Sequence, residues 1–140
     1  FPYFQALGVA AYTAVDVSPE MIRRLRAAHP GAAAVTADFE APIPFPAPFD
    51  AVMIFNAFPH FRDEETVFAR ARDCLAPGGR LFICHSLNRE GLREHHRQAG
   101  SDVAEDVLVS DERMAALYAG AGFSDVQVEN TDIFYSEGTR

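Results

Sequence analysis

The stretch Ala11-Tyr12-Thr13-Ala14-Val15-Asp16-Val17-Ser18-Pro19-Glu20-Met21-Ile22 decides the fold. Residues 11–15 read as a short buried strand, and the chain then turns sharply over residues 16–20. Ser18 is a good helix N-cap. Pro19 suits a first helical position, where an amide has no partner anyway, and Glu20 favours the positive helix end. Met21, Ile22 and Leu25 give the following helix an apolar face that runs out near His29-Pro30-Gly31. A strand that ends on an acidic turn and passes straight into a capped helix is half of a β-α-β unit.

Working outward, the same alternation continues to both ends. Residues 1–7 read as the last turns of a helix closed by Gly8. Residues 33–36 read as a weak strand. Residues 38–48, with Pro42, Pro44, Pro46 and Pro48, form a loop through which no regular element can run. Residues 49–55 are the clearest strand. Asp63 caps a helix reaching about Leu75, with Val67, Phe68, Ala71 and Leu75 on its inner side. Pro77-Gly78-Gly79 is a tight turn into a strand over residues 80–84. A polar helix follows from Arg89 to about Gln98, then a looser acidic stretch. Ser110 caps a helix carrying Met114, Leu117 and Tyr118 that ends at Gly120-Ala121-Gly122. Residues 126–129 and 133–135 are expected to close the chain as an antiparallel strand pair. The fold class is α/β, a mostly parallel sheet with helices on both faces, in a single domain over residues 1–140.

Composition narrows the function. The 140 residues carry 12 basic side chains against 20 acidic ones, a net charge of −8, and no arginine stripe that would neutralise a phosphate backbone. Nucleic acid is therefore not an expected partner. No apolar run approaches the roughly 18 residues of a membrane span, so no membrane partner is expected either. Cys74 and Cys84 sit in apolar segments without CxxC spacing, which suggests neither a disulfide scaffold nor a zinc site and fits a reducing cytoplasm.

In open α/β sheets, ligands lie beyond the carboxyl ends of the strands. Three such ends carry polar residues here: Asp16, Asp38, and residues 56–60. A carboxylate accepts two hydrogen bonds in a bidentate way, which suits the paired hydroxyls of a ribose, and Asp16 is the best single candidate. His60 lies in the third loop and His85 at the end of the strand over residues 80–84. An imidazole titrating near neutrality at either place suits a general base. Arg89, His95 and His96 on the next helix suit an anionic acceptor or, more plainly, a solvated helix face. Phe55, Phe58 and Phe61 offer an aromatic wall. The adjacent pair His95-His96 alone does not make a metal site, and none is expected.

Four segments occur in order: Asp16-Val17-Ser18-Pro19-Glu20-Met21, Ala37-Asp38-Phe39 leading to Pro44-Phe45, Phe49-Asp50-Ala51-Val52, and Leu75-Ala76-Pro77-Gly78-Gly79-Arg80-Leu81. On these the chain resembles the class I S-adenosylmethionine-dependent methyltransferases, particularly the small-molecule branch, over nearly its whole length. The resemblance implies a Rossmann-like sheet in the order 3-2-1-4-5-7-6 and S-adenosylmethionine as cofactor. It also implies that Asp16 binds the ribose with Val17 beside the adenine, that Asp38 and the Phe39 amide hold the adenine edge, and that Asn56 and Ala57 line the sulfonium, with Phe58, Pro59 and His60 nearby.

The glycine-rich loop that opens such domains has no counterpart, since Gly8 is isolated and Gly120-Ala121-Gly122 follows a helix. The first strand and its loop are accordingly expected upstream of Phe1. Without that central strand the sheet is expected to be completed by a homodimer or strand-swapped assembly, to rearrange so that the strands before Asp16 and Asn56 pair directly, or to use a segment outside this chain. A nicotinamide oxidoreductase would share the acidic strand end, but Asp38 and Pro77-Gly78-Gly79 argue against it. A non-catalytic methyltransferase-like binding or scaffold protein is the alternative outside enzymes.

Overall fold

The computed structural model describes residues 6–99 and 107–140, without the side chains of His96, Gln98 and Ala99. Most of the helix end expected over residues 1–7, and most of the acidic stretch before Ser110, lie outside the described residues. The chain forms two compact units, Phe1–Pro44 and Phe45–Arg140.

In the first unit, β1 (Thr13–Asp16) pairs in parallel with β2 (Ala33–Thr36), with α1 (Pro19–Ala28) between them in sequence. The Ser18 hydroxyl accepts from the Met21 amide at 3.3 Å, and Pro19 begins the helix as expected. Ile22 is the buried residue of α1. On the exposed side Glu20 receives Arg23 and Arg24 at 2.7 and 2.8 Å. The expected strand over residues 11–15 is shifted: it starts at Thr13 and takes in Asp16, because β2 is four residues long and pairs Thr13 through Asp16 with Ala33 through Thr36.

The second unit holds β3 (Phe49–Phe55), a single 3-10 turn (Phe58–His60), α2 (Glu64–Cys74), β4 (Leu75–His85), α3 (Arg89–Ala99), α4 (Asp111–Gly120), β5 (Ser124–Asn130) and β6 (Phe134–Thr139). Its sheet has the order β3-β4-β6-β5; β3 and β4 are parallel, and β6 runs antiparallel to both its neighbours. The mixed sheet with an antiparallel C-terminal pair is thus present. The direct pairing of β1 with β3 is not: the two strands belong to separate sheets.

The boundaries of β4, β5 and β6 differ from the sequence reading, β5 by its extension to Ser124–Asn130. Pairing with β3 begins at Leu75, skips across Pro77-Gly78-Gly79, and resumes at Arg80, so the expected turn is an irregularity within β4 rather than its start. Gly78 has φ +79°, and a side chain at Gly79 would sit 2.9 Å from the Ala76 carbonyl oxygen. At the other end β6 continues through Ser136, Glu137 and Gly138, all buried.

The core of the second unit lies between the sheet and α2 and α4. Phe68 is its centre, edge-on to Phe58, Tyr118 and Phe123 at centroid distances of 6.0, 4.8 and 6.3 Å. Such pairs add about 0.5–1.5 kcal/mol each beyond the area they bury. The Tyr118 hydroxyl lies 3.2 Å from the Ser136 hydroxyl, and burial raises its pKa well above the usual phenol value. On the opposite face Tyr135 donates to Glu137 at 2.5 Å and Arg80 pairs with the same carboxylate. These two partners, the tyrosine first, hold the Glu137 carboxyl below its ordinary pKa. On β3, beyond β4 from Tyr135 and Glu137, Met53 and Phe55 are 50% and 57% exposed.

Candidate functional site

In the first unit the two carboxylates named from the sequence stand at one end of the parallel pair. Asp16 closes β1 and Asp38 follows β2 by two residues, and the Ala37 amide donates to the Asp16 carbonyl at 3.1 Å. Each carboxylate fixes its own loop: Asp16 Oδ1 accepts from the Ser18 amide at 2.8 Å, and Asp38 Oδ1 accepts from the Glu40 amide at 2.9 Å. These local turns hold the side chains in place before any ligand arrives. Asp16 Oδ2 has no partner among the described residues and remains free to accept. Val17, beside it, is 71% exposed, an apolar side chain with no protein cover at the end of a strand. Phe39 is half-buried.

In the second unit, β3 and β4 end side by side. Asn56, immediately after β3, is in the left-handed region at φ +51°, where asparagine is among the few tolerated residues. Its amide donates to the Cys84 carbonyl at 3.0 Å and its side-chain Oδ1 accepts from the Ser86 amide at 2.8 Å. Ala57 begins the 3-10 turn, in which the His60 amide donates to the Ala57 carbonyl at 3.0 Å. His60 is exposed and Phe58 is buried against Phe68, so of the proposed aromatic wall Phe58 serves the core. His85, last in β4, is buried, and its Nδ1 accepts from the Leu87 amide at 3.1 Å.

Arg89 departs from the solvated helix face. It is buried, its guanidinium donating to the Val109 carbonyl at 2.6 Å, pairing with Asp111 at 2.7 Å, and lying over the Phe134 ring at 4.8 Å. Both cysteine thiols are pushed above their ordinary pKa by burial, which keeps thiolate chemistry out of these sites. Among the described residues no group of three or more His, Cys, Asp or Glu side chains is placed to hold a metal, and no helix is long and apolar enough to cross a membrane. The sequence reading did not anticipate the Asn56 bond to Ser86; asparagine directly after a strand is the one signal for it.

The model of the methyltransferase domain matches residues 1–83. This chain belongs to that family. Its fold is that of the class I S-adenosylmethionine-dependent methyltransferases, as solved structures of low identity also show. The plantazolicin methyltransferase BpumL, in complex with a pentazolic desmethylPZN analog and S-adenosylhomocysteine, is 14% identical with a TM-score of 0.74; the alignment covers 99% of this chain and 70% of that one. An S-adenosylmethionine-dependent methyltransferase from Thermotoga maritima gives 19% and 0.72, covering 98% and 75%. Human N-acetylserotonin methyltransferase in complex with S-adenosylmethionine gives 16% and 0.68, covering 98% of this chain but 42% of its own. No curated protein matches the sequence. In the strand order of the family, β2-β1 and β3-β4-β6-β5 are the 3-2 and 4-5-7-6 segments.

Proposed function

We propose that this methyltransferase-domain chain binds S-adenosylmethionine and serves methyl transfer to a small-molecule acceptor in the cytoplasm. The observation that carries the reading is the placement of Asp16 and Asp38 at the carboxyl end of paired parallel strands, with Asp16 Oδ2 and the Val17 side chain left uncovered. The residues present fit the nucleoside part of the cofactor. Asp16 would accept from the ribose hydroxyls, Val17 would lie on the adenine, and Asp38 with the Phe39 amide would take the adenine edge. In the second unit, Asn56 and Ala57 would line the methyl-donor end. When bound, the cofactor supplies a methyl carbon already activated by its sulfonium.

The protein's share is then positioning and, where the acceptor carries a proton, its removal. His60, exposed just after β3, is the residue for the second task. A small acceptor is favoured by the net charge of −8, which repels nucleic acid, and by the similarity to a plantazolicin methyltransferase and to N-acetylserotonin methyltransferase. The reading also includes a second copy of the chain, or a swapped strand, pairing with β1 and β3, whose partners among the described residues are β2 and β4.

Calorimetry with S-adenosylhomocysteine tests the cofactor assignment. The native chain should bind, and Asp16→Ala should weaken binding about 10-fold or more through loss of charge-assisted hydrogen bonds. Equal affinity in the variant would remove Asp16 from the site, and no binding by the native chain would overturn the reading. Light scattering tests the assembly, which a monomer at all concentrations would exclude.

A further inference from the structure

Two backbone amides of the turn after β4 are spent on side chains rather than on other backbone. Ser86 donates to Asn56 Oδ1 at 2.8 Å, and Leu87 donates to His85 Nδ1 at 3.1 Å. An imidazole nitrogen that accepts from an N–H carries no proton, so a neutral His85 has its proton on Nε2. Asn56 reaches the turn only because its backbone sits at φ +51° and its own amide is tied to the Cys84 carbonyl, at the residue next to His85. Asn56 and His85 thus hold successive amides of one turn, their two bonds joined through the covalent backbone between Ser86 and Leu87 at the ends of β3 and β4.

We propose that Asn56 is a positioning residue that, through the Ser86 amide, holds the turn so that Leu87 fixes His85 as the Nε2–H tautomer. In that tautomer His85 is not a base. Taking a proton at Nδ1 would break the Leu87 bond, and Nε2 already carries one. Proton removal in the proposed reaction is then left to His60. The consequence for proton removal rests on the proposed function, whereas the tautomer and its control by Asn56 do not.

The experiment is nitrogen-15 NMR of the imidazole rings in the chain at about pH 8, where an unperturbed imidazole is neutral. His85 should show an unprotonated Nδ1 and a protonated Nε2. Asn56→Gly keeps the left-handed backbone but removes the acceptor, and should move the two ring-nitrogen shifts toward each other as both tautomers populate. Asn56→Asp restores an acceptor and should restore the native pattern. A proton on Nδ1 in the native chain, or native His85 shifts in Asn56→Gly, would overturn the proposal. The native spectrum alone decides the tautomer if a variant fails to fold. Failure of the native chain to bind S-adenosylhomocysteine would break the methyltransferase reading while leaving these shifts unchanged, so the two failures are distinguishable.

Discussion

The two compact units carry the same kind of element but not the same kind of interior. Among the described residues, Phe1–Pro44 has two four-residue strands and the ten-residue α1, and the buried apolar side chains are Ile22 and Ala32. Phe45–Arg140 buries Phe68, Tyr118, Phe134, Leu75, Leu81 and Ile83 completely or nearly so. Apolar burial is what offsets chain entropy, and a segment of this size with two such residues offsets little of it. Among the described residues, the unit that carries Asp16 and Asp38 is therefore held chiefly by pairing and caps, while the unit that carries Asn56, His60 and His85 is held by a core. A lightly anchored sheet in one unit and a packed one in the other is a division that native-state opening should expose.

The largest expected effect is in the core. Phe68→Ala should cost about 3–5 kcal/mol, because the cavity faces Phe58, Tyr118 and Phe123. Denaturant titration measures it, and amide exchange should rise across β4 and β6. Comparable slowing of exchange in β1–β2 and β4–β6 of the native chain would show that the contrast between the units is wrong. Next is Gly138→Ala. Its new methyl would meet Tyr118 Cδ1 at 2.6 Å, and that ring is fully buried and cannot turn away. Overpacking of this kind costs about 1–3 kcal/mol, read as a lower unfolding midpoint.

That position also shows where the sequence stopped being legible. Runs such as 49–55 and the Asp63 and Ser110 caps carry their own pattern, and each lies where it was expected. Ser136-Glu137-Gly138 carries none, because its burial depends on distant partners: Tyr118 for the serine and glycine, Tyr135 and Arg80 for the glutamate. The site follows the same rule. The placement of Asp16 and Asp38 at one end of the parallel pair was readable because both directly follow strand patterns. The burial of Arg89 and the Asn56 bond to Ser86 were not, because both join segments far apart in sequence.

A smaller effect sharpens the comparison directly. Ser18→Ala and Ser110→Ala each delete an N-cap bond of similar length, 3.3 and 3.2 Å, worth about 1 kcal/mol. In α4 the loss should appear in global unfolding, because that helix carries Met114, Leu117 and Tyr118 into the core. In α1 it should appear chiefly as faster exchange of the β1 and β2 amides, with the global midpoint nearly unmoved. Equal shifts of the midpoint would mean that the two units unfold as one.

The smallest expected effect is a pH dependence confined to the second unit. The Asp63 side chain accepts from the Thr66 amide at 3.0 Å and from its hydroxyl at 2.8 Å, and these bonds, the amide first, hold its carboxyl below the usual pKa. A carboxylate whose folded pKa is depressed contributes stability that is fully present above the unfolded value, about 3.9, and is lost as the pH falls through the folded value. Stability of α2 should therefore decline on acidification below about pH 4, within the range where that carboxyl titrates. Asp63→Asn keeps a capping oxygen without the charge. The variant should be less stable than the native chain at neutral pH and should approach it in acid, so a constant difference between the two across that range would mean that the cap acts through geometry alone.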